Sequence, residues 1–248
     1  MRTLDKQYKV VFFDLGGTLR IAFDDEPYER HARRKMAELA CTDLPVEEFY
    51  QIIEDRYEPY RKWALEENRE SDDLELWSKW LLPDADPNLI RHVCHELSFQ
   101  YRQAKGRREV VTHGKEVVAE LCRRGYRLGI ISNLIGENEV PDWLEEDGLA
   151  PYFECVVLSS VCGLRKPAPD IYHYAMEKLG VSGADCVSVA DNLKRDIPGA
   201  KKAGIACNIL FNSPEQKYPV PSAFPEGKEP DAVIDDFNEL LELLPPLQ

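Results

Sequence analysis

The sequence predicts an α/β fold, a parallel sheet wrapped by helices, with an all-helical segment inserted after the first strand. A repeated strand-helix rhythm and one long interruption of it carry that prediction. The rhythm comes from five short runs, 8–14 (YKVVFFD), 126–132 (YRLGIIS), 154–160 (ECVVLSS), 186–191 (CVSVAD) and 205–211 (IACNILF). All are rich in β-branched or aromatic residues and bounded by polar residues or glycine, which is how buried strands read. Helix-like segments at 114–124, 137–148, 168–179 and 194–203 separate them, and Gly125, Gly180 and Gly204 follow three of these segments. Glycine there supplies the left-handed residue that closes a helix. Strand, helix, strand in succession means parallel pairing with helices on both faces.

The interruption runs from Arg20 to Glu109, where no strand is expected. YERHARRKMAELA, VEEFYQIIEDRYEPYRKWALEENRE, DLELWSKWLL and PNLIRHVCHELSFQYRQAK space their apolar residues by three and four, with Pro45, Pro83 and Pro87 as breaks. The expected organisation is a core of residues 1–19 and 110–248 and a smaller helical domain, 20–109, over the carboxyl edge of the sheet, where open α/β sheets bind ligands. Residues 212–230 carry five prolines and no periodicity, so an irregular loop or lid is expected before a last strand (231–235) and helix (236–244).

Composition bounds the partners. With 45 Asp and Glu against 31 Lys and Arg among 248 residues, the net charge of −14 argues against a basic face that grips nucleic acid or an anionic membrane. A 44% hydrophobic content gives ample material for a core. The seven cysteines form no Cys-x-x-Cys pair, and the early apolar run Val10 to Phe13 is too short for a signal peptide or membrane span. A cytoplasmic protein acting on a small molecule is expected, with an oligomeric state that the sequence leaves open.

Reactive groups collect at the carboxyl ends of the expected strands. The first ends at Asp14, followed by Leu15, Gly16, Gly17 and Thr18; the second ends at Ser132 and Asn133; Lys166 follows the third between Arg165 and Pro167; the fourth ends at Asp191, with Asp196 five residues on. A parallel sheet brings these ends to one edge. Taken singly, an Asp at a strand end is more often a structural group such as a helix cap than a ligand. Together, carboxylates so placed repel unless a cation joins them, and an all-oxygen set suits Mg²⁺. Magnesium beside a lysine suits a phosphoryl group.

The order Asp-x-x-x-Thr, Ser-Asn, Lys-Pro and Asp-x-x-x-x-Asp followed by Gly199 and Ala200 resembles the haloacid dehalogenase (HAD) superfamily, over nearly the whole chain. The long insert resembles the C1-type helical cap of its first subfamily. The resemblance implies a Rossmann-like core and a hydrolase. In it Asp14 would be the nucleophile, Ser132 would bind the transferring group's oxygen and Lys166 would steady its negative charge. Thr18, Asn133 and Arg165 would contact substrate. Asp14, the Gly16 carbonyl, Asp191 and Asp196 would make the Mg²⁺ site.

One departure matters. Family phosphatases carry a second Asp, the general acid and base, two residues after the nucleophile; here that position is Gly16. Such help is worth roughly 10² to 10⁴ in rate, or about 3 to 5 kcal/mol of barrier. The leading expectation is therefore a Mg²⁺-dependent phosphatase of a small phosphorylated metabolite, with Asp24, Asp25 or Glu26 as a candidate substitute acid. A carbon-halogen hydrolase also fits Gly16, but Asp191 speaks against it. A weakly active or inactive module that binds a metabolite or a protein is the third reading.

Other features have plainer readings. His92, Cys94 and His95 do not fit a His-Glu-x-x-His zinc pattern. Arg33, Arg34, Lys35, Arg61 and Lys62 suit a solvated helix face with partners such as Glu29, and Trp77 and Trp80 suit a helical core. Arg20 and Arg165 flank the expected site closely.

Overall fold

In the computed structural model, residues 7–213, 220, 221 and 223–247 are described. In chain order the first elements are β1 (Val10–Phe13), β2 (Arg20–Phe23), α1 (Glu26–Leu39), α2 (Val46–Glu67), a short α3 (Asp73–Glu75) continued by a π-helical stretch (Leu76–Leu81), α4 (Pro87–Gln103) and β3 (Arg107–Val110). Then come α5 (Gly114–Arg123), β4 (Arg127–Ser132), α6 (Glu139–Glu146), β5 (Phe153–Leu158), α7 (Ser159–Cys162) and α8 (Asp170–Leu179). The chain closes with β6 (Cys186–Ala190), α9 (Asp196–Lys202), β7 (Cys207–Phe211), β8 (Ala232–Ile234) and α10 (Leu240–Leu243).

The main sheet has the order β5-β4-β1-β6-β7-β8, all parallel. All four residues of β1 are buried, because the strand lies at the centre with helices on both sides. Its side chains alternate: Val11 and Phe13 join one core with Val117, Leu128, Val189 and Phe237, while Val10 and Phe12 join another with Ile171, Tyr172 and Ala200. Gly129 lets this packing close up, since a Cβ there would stand 2.7 Å from the Phe12 ring. The expected strands thus appear at their expected places, trimmed by a residue or two; Ser159 and Ser160 belong to α7 instead.

The helices of the insert form a third core, with Met36, Ile53, Tyr60, Trp77, Leu97 and Tyr101 buried together. Pro45 caps α2, and Pro87 opens α4, where its missing N–H costs nothing. Trp77 is fully buried and donates from Nε1 to Ser98 Oγ at 2.8 Å, while Trp80 packs against Tyr60 and Trp63. Arg33 pairs with Glu29 and Glu47, and Lys62 with Glu66, on outer helix faces.

The expectation of an insert without strands is corrected at both its ends. β2 and β3 pair antiparallel, Arg20 opposite Val110 and Phe23 opposite Arg107. RIAF and RREV are charged and too short to show alternation, so the strand signal lies in their mutual pairing and not in either run. Two further expectations are adjusted. The last helix begins as a 3-10 turn (Phe237–Glu239) with a capping box from Asp236 and Glu239. The proline-rich stretch falls partly outside the described residues, and its described part, 220, 221 and 223–230, has no regular element.

The Arg20 side chain is buried at this crossing, while its backbone O accepts from Gly17 N at 2.9 Å in the loop after β1. Its Nη1 pairs with Glu139 on α6 at 3.2 Å, and its guanidinium lies 4.4 Å over the Trp143 ring. Arg102 of α4 and Arg108 of β3 pair with the same carboxylate. Burial opposes the charge of Glu139, but Arg102, Arg108 and Arg20 outweigh it and hold its carboxyl at about 2.

Because one buried carboxylate joins α6 to β2, β3 and α4, Glu139→Gln should cost about 3–5 kcal/mol in urea unfolding by leaving three guanidinium groups without a shared anion. The depressed carboxyl gives the wild type stability that is present above its ordinary value of 4.5 and is lost as pH falls toward about 2. Acid titration of the melting temperature should show that loss in the wild type and less of it in Glu139→Gln.

Candidate active site

The ends of β4, β1 and β6, three neighbouring strands, supply the chemistry. Asp14 follows β1 directly; its N–H donates to Val189 O at 2.9 Å, so the ladder to β6 fixes its backbone. The carboxylate is buried, and Lys166 Nζ donates to its Oδ1 at 2.6 Å. Lys166 is 1% exposed, donates also to Ile131 O at 2.9 Å, and stands 2.6 Å from Asp196 Oδ1. Asp191, Asp196 and Asp14 each offer a carboxylate oxygen within 4.8 Å of the others. Ser132 closes β4 and is buried at the same edge. Thr18 is fully buried, and its Oγ1 donates to Asp191 Oδ1 at 3.5 Å.

Two adjacent glycines shape the loop after β1. Gly17 has φ +82, and a Cβ there would stand 2.4 Å from Asp191 Oδ2, so that position requires glycine. Gly16 is exposed, and a Cβ on it would meet nothing within 4 Å. Its lack of a side chain is a chemical fact about the site and not a packing need.

Asn133 and Arg165, expected as substrate contacts, have other engagements. The Asn133 amide clasps the Lys166 backbone, Nδ2 donating to Lys166 O at 2.8 Å and Oδ1 accepting from Lys166 N at 2.9 Å. Arg165 pairs with buried Glu70, which also accepts from Ser159 Oγ at 2.9 Å and from Tyr60 Oη. Glu70 thereby ties the end of the insert's second helix to the loop that carries Lys166. Among the candidate substitute acids, Asp25 caps α1 and lies 3.6 Å from Arg107, Glu26 pairs with Arg30, and Asp24 is exposed beyond β2. A hollow of about 510 Å³ lies beside Arg20, Tyr28, Arg108 and Trp143; none of Asp14, Ser132, Lys166, Asp191 or Asp196 lines it.

Arg195 is the group that sequence reasoning passed over. Its Nη2 lies 3.3 Å from Asp14 Oδ2 and 2.9 Å from Asp196 Oδ2. Its position next to Asp196 was visible, but a basic residue opening a helix carries no signal of pointing inward. Among the residues of the insert, His92, Cys94 and His95 do not meet: His92 Nδ1 contacts Asn88 O, Cys94 is buried, and His95 Nδ1 lies 2.9 Å from Asp73 Oδ2.

The charges can be followed one by one. Burial opposes ionisation of Asp196, but Arg195 and Lys166 outweigh it and lower its pKa. Burial also opposes the charge on Arg195, and Asp196 and Asp14 more than restore it. Asp191 is pushed up to about 8 by burial and by the charges of Asp14 and Asp196. Three hard carboxylate oxygens with one charge in excess fit a divalent cation, which would relieve that repulsion.

The raised carboxyl has a consequence for the metal-free protein. Folded Asp191 keeps its proton up to about 8, whereas the unfolded chain releases it near 3.8, so its share of stability is full below 3.8 and lost as pH rises through about 8. In EDTA, Asp191→Asn should melt higher than wild type at pH 8 to 9 and show a flatter decline of melting temperature with pH.

A family model described as a haloacid dehalogenase-like hydrolase matches residues 8–204. Glyceraldehyde 3-phosphate phosphatase of Methanopyrus kandleri is 29% identical over 246 residues, covering 95% of this chain and 97% of that protein. Phosphoglycolate phosphatase of Vibrio vulnificus is 28% identical over 245 residues, covering 96% and 97%. Among solved structures, 2-haloacid dehalogenase from Pseudomonas syringae pv. Tomato DC3000 matches with a TM-score of 0.67 at 22% identity, over 95% of this chain and 97% of that one, which speaks to the fold. A parallel sheet with Asp14, Lys166, Asp191 and Asp196 gathered at one edge, and a family model spanning most of the chain, place this protein among the haloacid dehalogenase-like hydrolases.

Proposed function

We propose that the chain is a Mg²⁺-dependent phosphatase of a small phosphorylated metabolite, working through an aspartyl phosphate on Asp14. The observation that carries this reading is the Asp14 carboxylate, buried and held by Lys166 Nζ at 2.6 Å in reach of Asp191 and Asp196. The names of the relatives, a glyceraldehyde 3-phosphate phosphatase and a phosphoglycolate phosphatase, support a short phosphorylated carbon skeleton as substrate. Free thiols at all seven cysteines support a reducing, cytoplasmic setting, and among the described residues no helix is long and apolar enough to cross a membrane.

In this reading Asp14, Asp191, Asp196 and the Gly16 carbonyl hold the cation. Bound there, Mg²⁺ would offset the phosphate's charge and draw it toward the edge of the sheet. An Asp14 oxygen attacks phosphorus, the ester P–O bond breaks, and the leaving oxygen departs. Lys166 and Ser132 face the equatorial oxygens, where negative charge collects. Water then attacks the same phosphorus, returning Asp14 and free phosphate. With Gly16 in place of an acid, the leaving oxygen takes its proton from water. Residues 20–109 act as a cap in this scheme, with residues 1–19 and 110–248 as the core. The Glu70 contacts to Arg165 and Ser159 belong to its closed state, and cap opening admits substrate and water.

Phosphate release from a panel of esters and acyl phosphates should require Mg²⁺ and fall at least a thousandfold in Asp14→Asn. Halide release from haloacids without added metal would overturn the phosphatase reading in favour of the dehalogenase one. Ligand binding with neither activity would favour a binding module.

The panel also tests the missing acid. Turnover should fall steeply as the leaving group's pKa rises, and Gly16→Asp, which has room for its side chain, should flatten that dependence and raise turnover of alkyl esters by roughly 10². A flat dependence in the wild type would show that another group already donates the proton.

A further inference from the structure

Every oxygen of Asp14 and Asp196 already faces a protein cation. Lys166 Nζ lies 2.6 Å from Oδ1 of Asp14 and 2.6 Å from Oδ1 of Asp196. Arg195 Nη2 takes the other oxygen of each, 3.3 Å from Asp14 Oδ2 and 2.9 Å from Asp196 Oδ2, and Arg195 Nε adds a contact to Asp196 Oδ2 at 3.2 Å. A divalent cation at Asp14, Asp191 and Asp196 draws on some of these same oxygens, so it competes with the resident cations for them.

The two resident cations differ in their freedom to yield. The Lys166 side chain is 1% exposed, is anchored on Ile131 O, and has its backbone clasped by Asn133. The Arg195 side chain is 29% exposed, stands at the N-cap of α9, and has a path to solvent. Its planar fork grips two carboxylates at once, whereas water can receive it at little cost once they are neutralised otherwise.

We infer that Arg195 is an internal counter-cation that competes with the divalent ion for Asp14 and Asp196 and swings toward solvent when that ion binds. This rests on the reading that the three carboxylates hold a divalent cation. Arg195 keeps the edge of the sheet folded and neutralised without metal, and in doing so weakens metal binding: the incoming ion must both break its contacts and meet its charge at close range. The residue acts on the metal site and on no substrate atom.

The test is titration calorimetry of Mg²⁺ into EDTA-stripped wild type, Arg195→Gln and Arg195→Lys, with melting temperatures recorded with and without Mg²⁺. Arg195→Gln should bind Mg²⁺ at least roughly tenfold more tightly, because a like charge has left the site. Without metal it should melt below wild type, and Mg²⁺ should raise its melting temperature by more than it raises that of wild type. Arg195→Lys keeps the charge but loses the fork, so its affinity should lie between the two. Wild type and variants binding Mg²⁺ equally, or Arg195→Gln binding more weakly, would overturn the competition while leaving the divalent site standing. No Mg²⁺ binding by any of the three would overturn both. Should Arg195→Gln not fold, an affinity of Arg195→Lys no higher than wild type overturns the inference.

Discussion

Lys166 is the ion on which the arrangement of this protein depends. Its ammonium group, almost without solvent, joins Asp14 after β1 to Asp196 at the start of α9, and it is hung from Ile131 O on β4. Those attachments lie on β4, just after its neighbour β1, and at the start of the helix α9 that follows β6. Charges of one sign at such an edge repel strongly in a low dielectric, and a buried ion pair stripped of one partner is destabilising by about 3–5 kcal/mol. The strand order matters here, because β1 beside β4 brings the Asp14 carboxylate and the Ile131 carbonyl within reach of one ammonium. Asn133 makes the attachment firm by fixing the peptide groups on either side of the Lys166 side chain's origin.

Among the described residues Glu139 and Glu70 are further buried carboxylates with several cationic or hydroxyl partners, and the contrast is instructive. Glu139 has three arginines and Glu70 has Arg165, Ser159 and a tyrosine, so each acid is fully compensated where the insert meets the sheet domain. The cluster at Asp14 has three acids for two cations. Compensated acids make joints. The cluster with more acids than cations makes a place for a further cation.

Much of this was legible in the chain. The runs around Val10, Ile130, Val156, Val187 and Ile209 are apolar because both faces of their sheet are covered, and that demand shows in any single run. Asp14, Ser132, Lys166, Asp191 and Asp196 could be gathered from sequence because a parallel sheet places all its carboxyl ends on one edge. The pairing of Arg20–Phe23 with Arg107–Val110 could not be seen, since each strand is made by its partner across the whole length of the insert. The same holds for Arg20, Asn133, Arg165 and Arg195. A side chain's type says which bonds it is able to form, while the partner it reaches depends on contacts far away in the chain, such as Arg165 with Glu70 or Arg20 with Glu139.

Gly16 and Gly17 stand side by side and yet face opposite constraints. At Gly17 the backbone is in the left-handed region and the neighbouring carboxylate leaves no space for a side chain; at Gly16 the space is open. The loop after Asp14 thus places a fixed position and an open one on two consecutive residues. Evolution or an engineer is free to rewrite the second while the first stays fixed. A side chain can therefore enter at position 16 without asking the fold for any adjustment, so the rim of this edge is open to change by single steps.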